Sequence, residues 1–180
     1  MHYSRIIWTV LSFLVLTDTA AQATVQQLPK IKAGLWQTTI MGSDGAEKTT
    51  KVFSTQCIDS AVLSLIFSVR NQALTEGCTK VASQLLGNKL VESTECKFKD
   101  SLMKSTNETT FESDASLITK NTTKFSAQLD AGQDIEMTTQ MKRIGECRPG
   151  MRLGDSISGP PNSLITINIL DVAKSTNEKK

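Results

Sequence analysis

The chain has few of the residues on which catalytic and metal sites depend. Its 180 residues include one histidine, one tyrosine and four cysteines. Four prolines and ten glycines are too few for a collagen-like or low-complexity chain, and a hydrophobic content of 39% is too high for intrinsic disorder. A net charge of +2 is too small for the concentrated basic surface of a nucleic-acid-binding domain, so we expect no nucleic-acid partner.

The first residues have the pattern of a secretory signal peptide. Arg5 precedes a mostly apolar run over residues 6–16, and Ala21 and Ala23 supply the small residues that a signal peptidase requires. The run is well short of the roughly 20 apolar residues that span a bilayer. We therefore expect residues 1–23 to be a cleaved signal peptide, the mature protein to be periplasmic or secreted, and the chain to have no transmembrane anchor.

Cleavage of this leader would also remove the only histidine, His2. A protein without histidine has no Ser-His-Asp or Cys-His machinery, no imidazole general base and no histidine-ligated zinc. Glycine-rich phosphate loops and dinucleotide fingerprints are also absent from the sequence. The sequence therefore indicates a protein that is not an enzyme and that holds no metal and no cofactor.

One nucleophile pattern remains, in which Ser101 and Lys104 have the spacing of the Ser/Lys pair in penicillin-recognising enzymes. In those enzymes the serine lies at the start of a helix within a much larger fold, whereas this pair lies at the edge of a predicted strand. Such short patterns recur by chance. A hydrolase that uses Ser101 and Lys104 is kept as one alternative function.

An even number of cysteines points to two disulfides, because an exported protein meets an oxidising compartment. A zinc site would need cysteine pairs only two to four residues apart, and the cysteines here are spaced far more widely. Gly87-Asn88 lies between two strand-like runs. Strands that turn there place Cys78 opposite Cys96, within reach of a disulfide, and Cys57 then pairs with Cys147 by elimination.

Most of the mature chain alternates apolar and polar residues as antiparallel strands do. In one run, Met137 and Met141 point to the same side. In the run before it, Phe125 and Leu129 point inward, and residues 130–132 have the composition of a three-residue hairpin loop. This register places Phe125 opposite Met137.

A helix is predicted to interrupt the strands. Asp59 or Ser60 caps its start, and Gly77 ends it. Its residues 65–67 are apolar nearly all round, which favours burial and leaves a partner surface at residues 65–69 as the alternative. Further strands are expected at residues 34–41, 48–57 and 102–112, with an extra C-terminal strand at about 163–172 and a disordered tail at 174–180.

Together these patterns predict one mainly β domain over residues 24–173. We expect an antiparallel curved sheet or a small barrel-like fold, with one helix and two disulfides. Adjacent threonines, as in Thr109-Thr110 and Thr122-Thr123, suit a solvated sheet face.

Two motifs stand near the ends of this domain, Lys32-Ala33-Gly34-Leu35-Trp36 and Lys142-Arg143-Ile144-Gly145-Glu146-Cys147. They resemble the Gly-Leu-Trp-Glu opening and the Lys-Arg-Leu-Gly-Asp-Cys ending of a bacterial exported family, domain-of-unknown-function family 3617. The resemblance covers about residues 30–147, with Gln37 in place of the usual Glu. It implies a small exported β-rich domain of Gram-negative bacteria and no assigned activity. Its motif residues are Gly34, Leu35, Trp36, Lys142, Arg143 and Gly145.

The function that these observations favour is non-catalytic binding or envelope maintenance in the periplasm, with an apolar ligand or an envelope protein as partner. The first alternative is a carrier that holds a small apolar ligand in a cavity between sheet and helix. The side chains expected to line that cavity are Phe125, Leu129, Met137 and Met141.

Overall fold

The computed structural model describes residues 27–43, 48–98, 101–126, 134–159 and 163–177. The predicted signal peptide, Leu129 and the predicted hairpin loop at 130–132 lie outside the described residues. The strands are β1 (Gly34–Ser43), β2 (Lys48–Ile58), β3 (Lys80–Leu86), β4 (Lys89–Phe98), β5 (Ser101–Ser113), β6 (Ser116–Phe125), β7 (Ile135–Gly145), β8 (Asp155–Ser158) and β9 (Ile165–Asn168). The helices are α1 (Ser60–Gly77) and α2 (Ile169–Asn177).

All these strands form one antiparallel sheet in the order β3-β4-β5-β6-β7-β1-β2-β8-β9. Strands β3 to β7 are neighbours in chain order, and β1 lies between β7 and β2. Because β3 and β9 are the two edges, the described strands form an open sheet and do not close into a barrel. The prediction of a mainly β fold with an antiparallel sheet is confirmed.

The sheet curls round α1. This helix contacts β2 and also β3 and β4, although four strands separate β4 from β2 in the sheet. One helix can meet both ends of such a sheet only if the strands twist and bend towards it. We call the face of the sheet that meets α1 the inner face, and the opposite one the outer face.

The helix α1 begins and ends where the sequence predicts. Oδ1 of Asp59 accepts a hydrogen bond from the backbone N–H of Val62 at 2.8 Å, which satisfies one of the free donors of the first turn. Phe67 is 8% exposed and packs in the core with Trp36 of β1 and Leu117 of β6. Residues 65–69 therefore belong around the core, and the partner surface considered for them is not supported.

The register between β6 and β7 differs from the predicted one. Met137 lies opposite Asn121 rather than Phe125, because the connection is longer than three residues. The backbone N–H of Ser126 donates to the Leu102 carbonyl at 2.9 Å, so the end of β6 is held by β5 instead of pairing further with β7. The displacement is an even number of residues, so Phe125 and Met137 still share one face.

A second helix replaces the last four residues of the predicted C-terminal strand and part of the predicted tail. The strand β9 ends at Asn168, and α2 continues to Asn177. Oδ1 of Asn168 accepts hydrogen bonds from the backbone N–H groups of Leu170 at 2.9 Å and Asp171 at 3.3 Å, so Asn168 is a helix N-cap. Leu170 packs against the core and holds the helix to the domain.

The carboxylate of Asp155 stabilises the C-terminal segment that is formed by β8, β9 and α2. Its Oδ1 accepts from the Asn168 side-chain amide at 2.7 Å, and its Oδ2 accepts from the Arg152 backbone N–H at 2.7 Å. These two hydrogen bonds, the first one most, hold the pKa of Asp155 below its ordinary value of 3.8. The carboxylate thus links β8 to the residue that begins α2.

We expect the variant Asp155→Asn to be less stable than the wild type at neutral pH. Because the pKa of Asp155 is lowered in the folded protein, its ionised carboxylate stabilises the fold. This stabilisation is fully present above the pKa that Asp155 has in the unfolded chain, and it is lost as the pH falls through the pKa that Asp155 has in the folded protein. The difference in urea midpoint between the two proteins should therefore narrow below about pH 4. Asp114→Asn, at an exposed carboxylate, is the control; a gap that stays constant with pH would contradict this role of Asp155.

Candidate functional site

The two motifs meet at the junction of β1 and β7. Leu35 lies opposite Gly145 and Trp36 opposite Arg143, with a β-bulge between them. Gly34 has φ +146°, and a Cβ placed on it would lie 2.4 Å from the Gly145 carbonyl oxygen and 2.7 Å from Nε of Arg143. Only a residue without a side chain fits in this position.

Arg143 crosses over Gly34 to reach the segment before it. Its Nε donates to the Ala33 carbonyl at 2.8 Å, and its Nη2 is paired with Glu146. The indole N–H of Trp36 donates to the Lys32 carbonyl at 3.0 Å. These bonds hold the chain before β1 against the end of β7, so the motifs form a structural junction.

Two further motif residues lie on the outer face. Leu35 is buried opposite Cys57, whose disulfide to Cys147 ties β2 to the chain that follows β7, with 5.3 Å between the two Cα atoms. Lys142 is exposed on the same face. A second disulfide joins Cys78, directly after α1, to Cys96 of β4. Both pairs are those that the hairpin and elimination predict.

Next to the hydrophobic core, the middle of the inner face is lined by polar side chains of β5 and β6. Neighbouring side chains on β5 and β6 bond across the strands: Ser105 and Thr123 at 3.0 Å, and Thr109 and Thr119 at 2.8 Å. Between these pairs, Nδ2 of Asn121 donates to Oγ of Ser105 and to Oδ1 of Asn107, both at 2.8 Å. We call this set the polar row; its members are Ser105, Asn107, Thr109, Thr119, Asn121 and Thr123.

A partly buried ion pair continues the polar row onto β4. Glu92 lies opposite Asn107, is only 3% exposed, and its Oε2 accepts from Nη2 of Arg70 on α1. The Arg70 guanidinium lies 4.6 Å from the ring centre of Phe67. Oε1 of Glu92 and Nε of Arg70 are buried without a hydrogen-bond partner among the described residues. Such unpaired groups are costly, which makes them candidates for contact with a ligand.

The side chains predicted to line an apolar cavity do not form one continuous surface. Met141 packs against the core, whereas Phe125 and Met137 lie at the far end of the same face, and Met137 is 37% exposed. Thr139 lies between the two methionines on β7 and faces Thr119 of the polar row. Three of the four predicted residues thus share a face that is polar along its middle.

Ser101 and Lys104 are not brought together. Side chains three positions apart on one strand point to opposite faces, and these two lie on β5. Ser101 is buried, while Nζ of Lys104 is 3.4 Å from the carboxylate of Glu95. In this arrangement Lys104 does not act as the base for a Ser101 nucleophile.

The described part of the chain contains no group of three or more His, Cys, Asp or Glu side chains placed to hold a metal ion. None of its helices combines the length and apolar character needed to cross a membrane.

Comparisons with known proteins identify a family and no function. A family model described as a protein of unknown function (DUF3617) matches residues 31–147. This span begins just before the first motif and ends at Cys147, which is bonded to Cys57. No curated protein and no solved structure matches the chain.

Proposed function

The chain belongs to the DUF3617 family, and from this premise we propose that it is an exported, periplasmic and non-catalytic binding protein whose ligand site is the inner face of its sheet. Export is supported by the leader pattern at residues 1–23 and by two disulfides, which persist in oxidising compartments. The separation of Ser101 from Lys104 on opposite faces supports a role without catalysis.

The observation that carries the binding proposal is the half-buried carboxamide pair of Asn107 and Asn121. Sheet faces that pack against a helix are normally apolar, and here the inner face turns polar directly beside the core. A hydrogen-bonded polar row of this kind adds little net stability, because its groups would bond equally well to water. The position of the polar row on the inner face is therefore better suited to orienting a ligand than to stabilising the fold.

A carrier for an apolar ligand is the second candidate, favoured by the exposed Met137 and by Phe125 on the same face. An apolar molecule lying along this face would also cover Asn107 and Asn121. Asn121 keeps its hydrogen bonds within the sheet, but Nδ2 of Asn107 would lose its contact with water, at a cost of about 1–3 kcal/mol, so the polar middle of the face opposes such a ligand.

Export is tested by expressing the full-length chain in a Gram-negative host and measuring its intact mass in each fraction. We expect the periplasmic fraction to contain a chain that begins at Thr24 and is four hydrogens lighter than its reduced form. Full-length protein in the cytosol with four reduced thiols would contradict the proposal. Binding is tested on the same periplasmic protein by native mass spectrometry, where we expect a retained mass that is lost on denaturation.

A further inference from the structure

Resting on the proposed binding function, we infer that the ligand is a neutral, hydroxyl-rich molecule such as a saccharide, bound through Arg70, Glu92 and Asn107. These three residues lie side by side on the inner face: Arg70 reaches from α1 to Glu92 on β4, and Glu92 lies opposite Asn107 on β5. Side chains directly opposite on neighbouring strands have Cβ atoms about 4.5–5.5 Å apart.

The two unpaired atoms of the ion pair define the chemistry of the ligand. Oε1 of Glu92 only accepts hydrogen bonds, and Nε of Arg70 only donates one. A hydroxyl group satisfies both, because it donates to the first and accepts from the second. An ammonium group has no acceptor for Nε, and a phosphate dianion or carboxylate has no donor for Oε1.

The carboxamide of Asn107 provides the next contact. Its Oδ1 accepts from Asn121, while its Nδ2 has no hydrogen-bond partner among the described residues. Asn121 uses its own amide fully: Nδ2 donates twice, and Oδ1 accepts from Thr123 at 3.1 Å. Asn121 is therefore a positioning residue that holds Oδ1 of Asn107, and we assign Nδ2 of Asn107 as the donor to a second hydroxyl.

The charge and the solvent exposure of the Arg70–Glu92 pair also fit a neutral, hydroxyl-rich ligand. The carboxylate of Glu92 and the guanidinium of Arg70 cancel, and the polar row carries no ionised group, so this part of the face attracts neither anions nor cations. The Arg70 side chain is 36% exposed, so the ion pair borders solvent through Arg70, whereas Nε of Arg70 and Oε1 of Glu92 are themselves buried. A neutral molecule with neighbouring hydroxyls matches this alternation of donor and acceptor.

The test is calorimetric titration of the disulfide-bonded mature protein with maltotriose, cellotriose and chitotriose. We expect at least one of them to bind, and the variant Asn107→Ala to weaken it at least tenfold. Thr106→Ala changes the adjacent residue on the outer face and should leave the affinity unchanged. Thermal unfolding of each variant separates lost contacts from lost folding.

The outcomes separate this inference from the proposed function. If the apolar dye 1-N-phenylnaphthylamine binds and no saccharide does, the inference is overturned and the binding function stands. Saccharide binding that is equal in the wild type and Asn107→Ala would also overturn the assignment of these residues. If neither saccharide nor dye binds and the periplasmic protein carries no retained mass, both proposals fail.

Discussion

Replacing Gly34 by alanine is expected to lower the free energy of unfolding by about 3–5 kcal/mol. At φ +146° any side chain is strained, and the new Cβ would meet the Gly145 carbonyl at 2.4 Å. It would also displace the Arg143 guanidinium from the Ala33 carbonyl, which it reaches at 2.8 Å. Urea denaturation followed through Trp36, which is fully buried at this junction, measures the loss.

The matched control for Gly34→Ala is Gly145→Ala, on the partner strand of the same junction. Gly145 also has a positive φ, +159°, but a Cβ there would find no atom within 4 Å. We expect this second variant to lose only the backbone strain of a positive φ, about 1–3 kcal/mol, and therefore less than Gly34→Ala. Equal urea midpoints for the two alanine variants would show that the close approach of Arg143 and Gly145 to Gly34 is not what requires glycine.

Removing the Cys57–Cys147 disulfide with the double variant Cys57→Ala, Cys147→Ala should cost about 4.6 kcal/mol, because the bond closes a loop with a sequence separation of 90. Removing Cys78–Cys96 in the same way should cost about 3.2 kcal/mol, since its separation is only 18. Changing both partners avoids the free thiol that a single substitution would leave.

Urea denaturation of the two double variants and of the wild type under non-reducing conditions measures these costs. Dithiothreitol added to the wild type is the control, and it should destabilise the protein at least as much as the more severe double variant. If loss of Cys78–Cys96 proves the more damaging of the two, restriction of the unfolded chain does not govern the stability that these bonds supply.

Elements with local signals were predictable from the sequence. The sequence predicted Asp59 or Ser60 as the N-cap of α1, and Asp59 is the residue that caps it; Gly77 was predicted to end the helix and is its last residue. The hairpin turn predicted at Gly87-Asn88 connects β3 to β4, and the register that it fixes was enough to predict the pairing of Cys78 with Cys96. In each case the residues that determine the structure lie within a few positions of the structure they determine.

The two predictions that were wrong, the β6–β7 register and the length of the C-terminal strand, concern structure that depends on distant contacts or on a weak sequence signal. The β6–β7 register is set by bonds from Ser126 to Leu102 on a third strand, which no pattern within the hairpin reveals. The second helix had one available sign, Asn168 followed by Asp171 at the third helical position, but the alternating isoleucines before it favoured a longer strand.

The polar row shows why the candidate site was harder to predict than the fold. Threonine pairs were expected to face solvent, yet Thr109 and Thr123 are buried on the inner face. Alternation with period two separates two faces but does not say which is inner when both carry polar side chains. The missed signal was the regular spacing of Ser105, Asn107 and Thr109 along one strand, matched by Thr119, Asn121 and Thr123 on the next.

The placement of β1 beside β7 has a consequence for the timing of assembly. Arg143 forms a hydrogen bond with Ala33, 110 positions earlier in the sequence. One edge of β1 therefore stays unpaired until β7 has been made. Contacts this distant along the chain slow folding, because a long segment must be ordered before they form. If the chain is exported as we propose, β1 would complete its pairing only after β7 has also crossed the membrane.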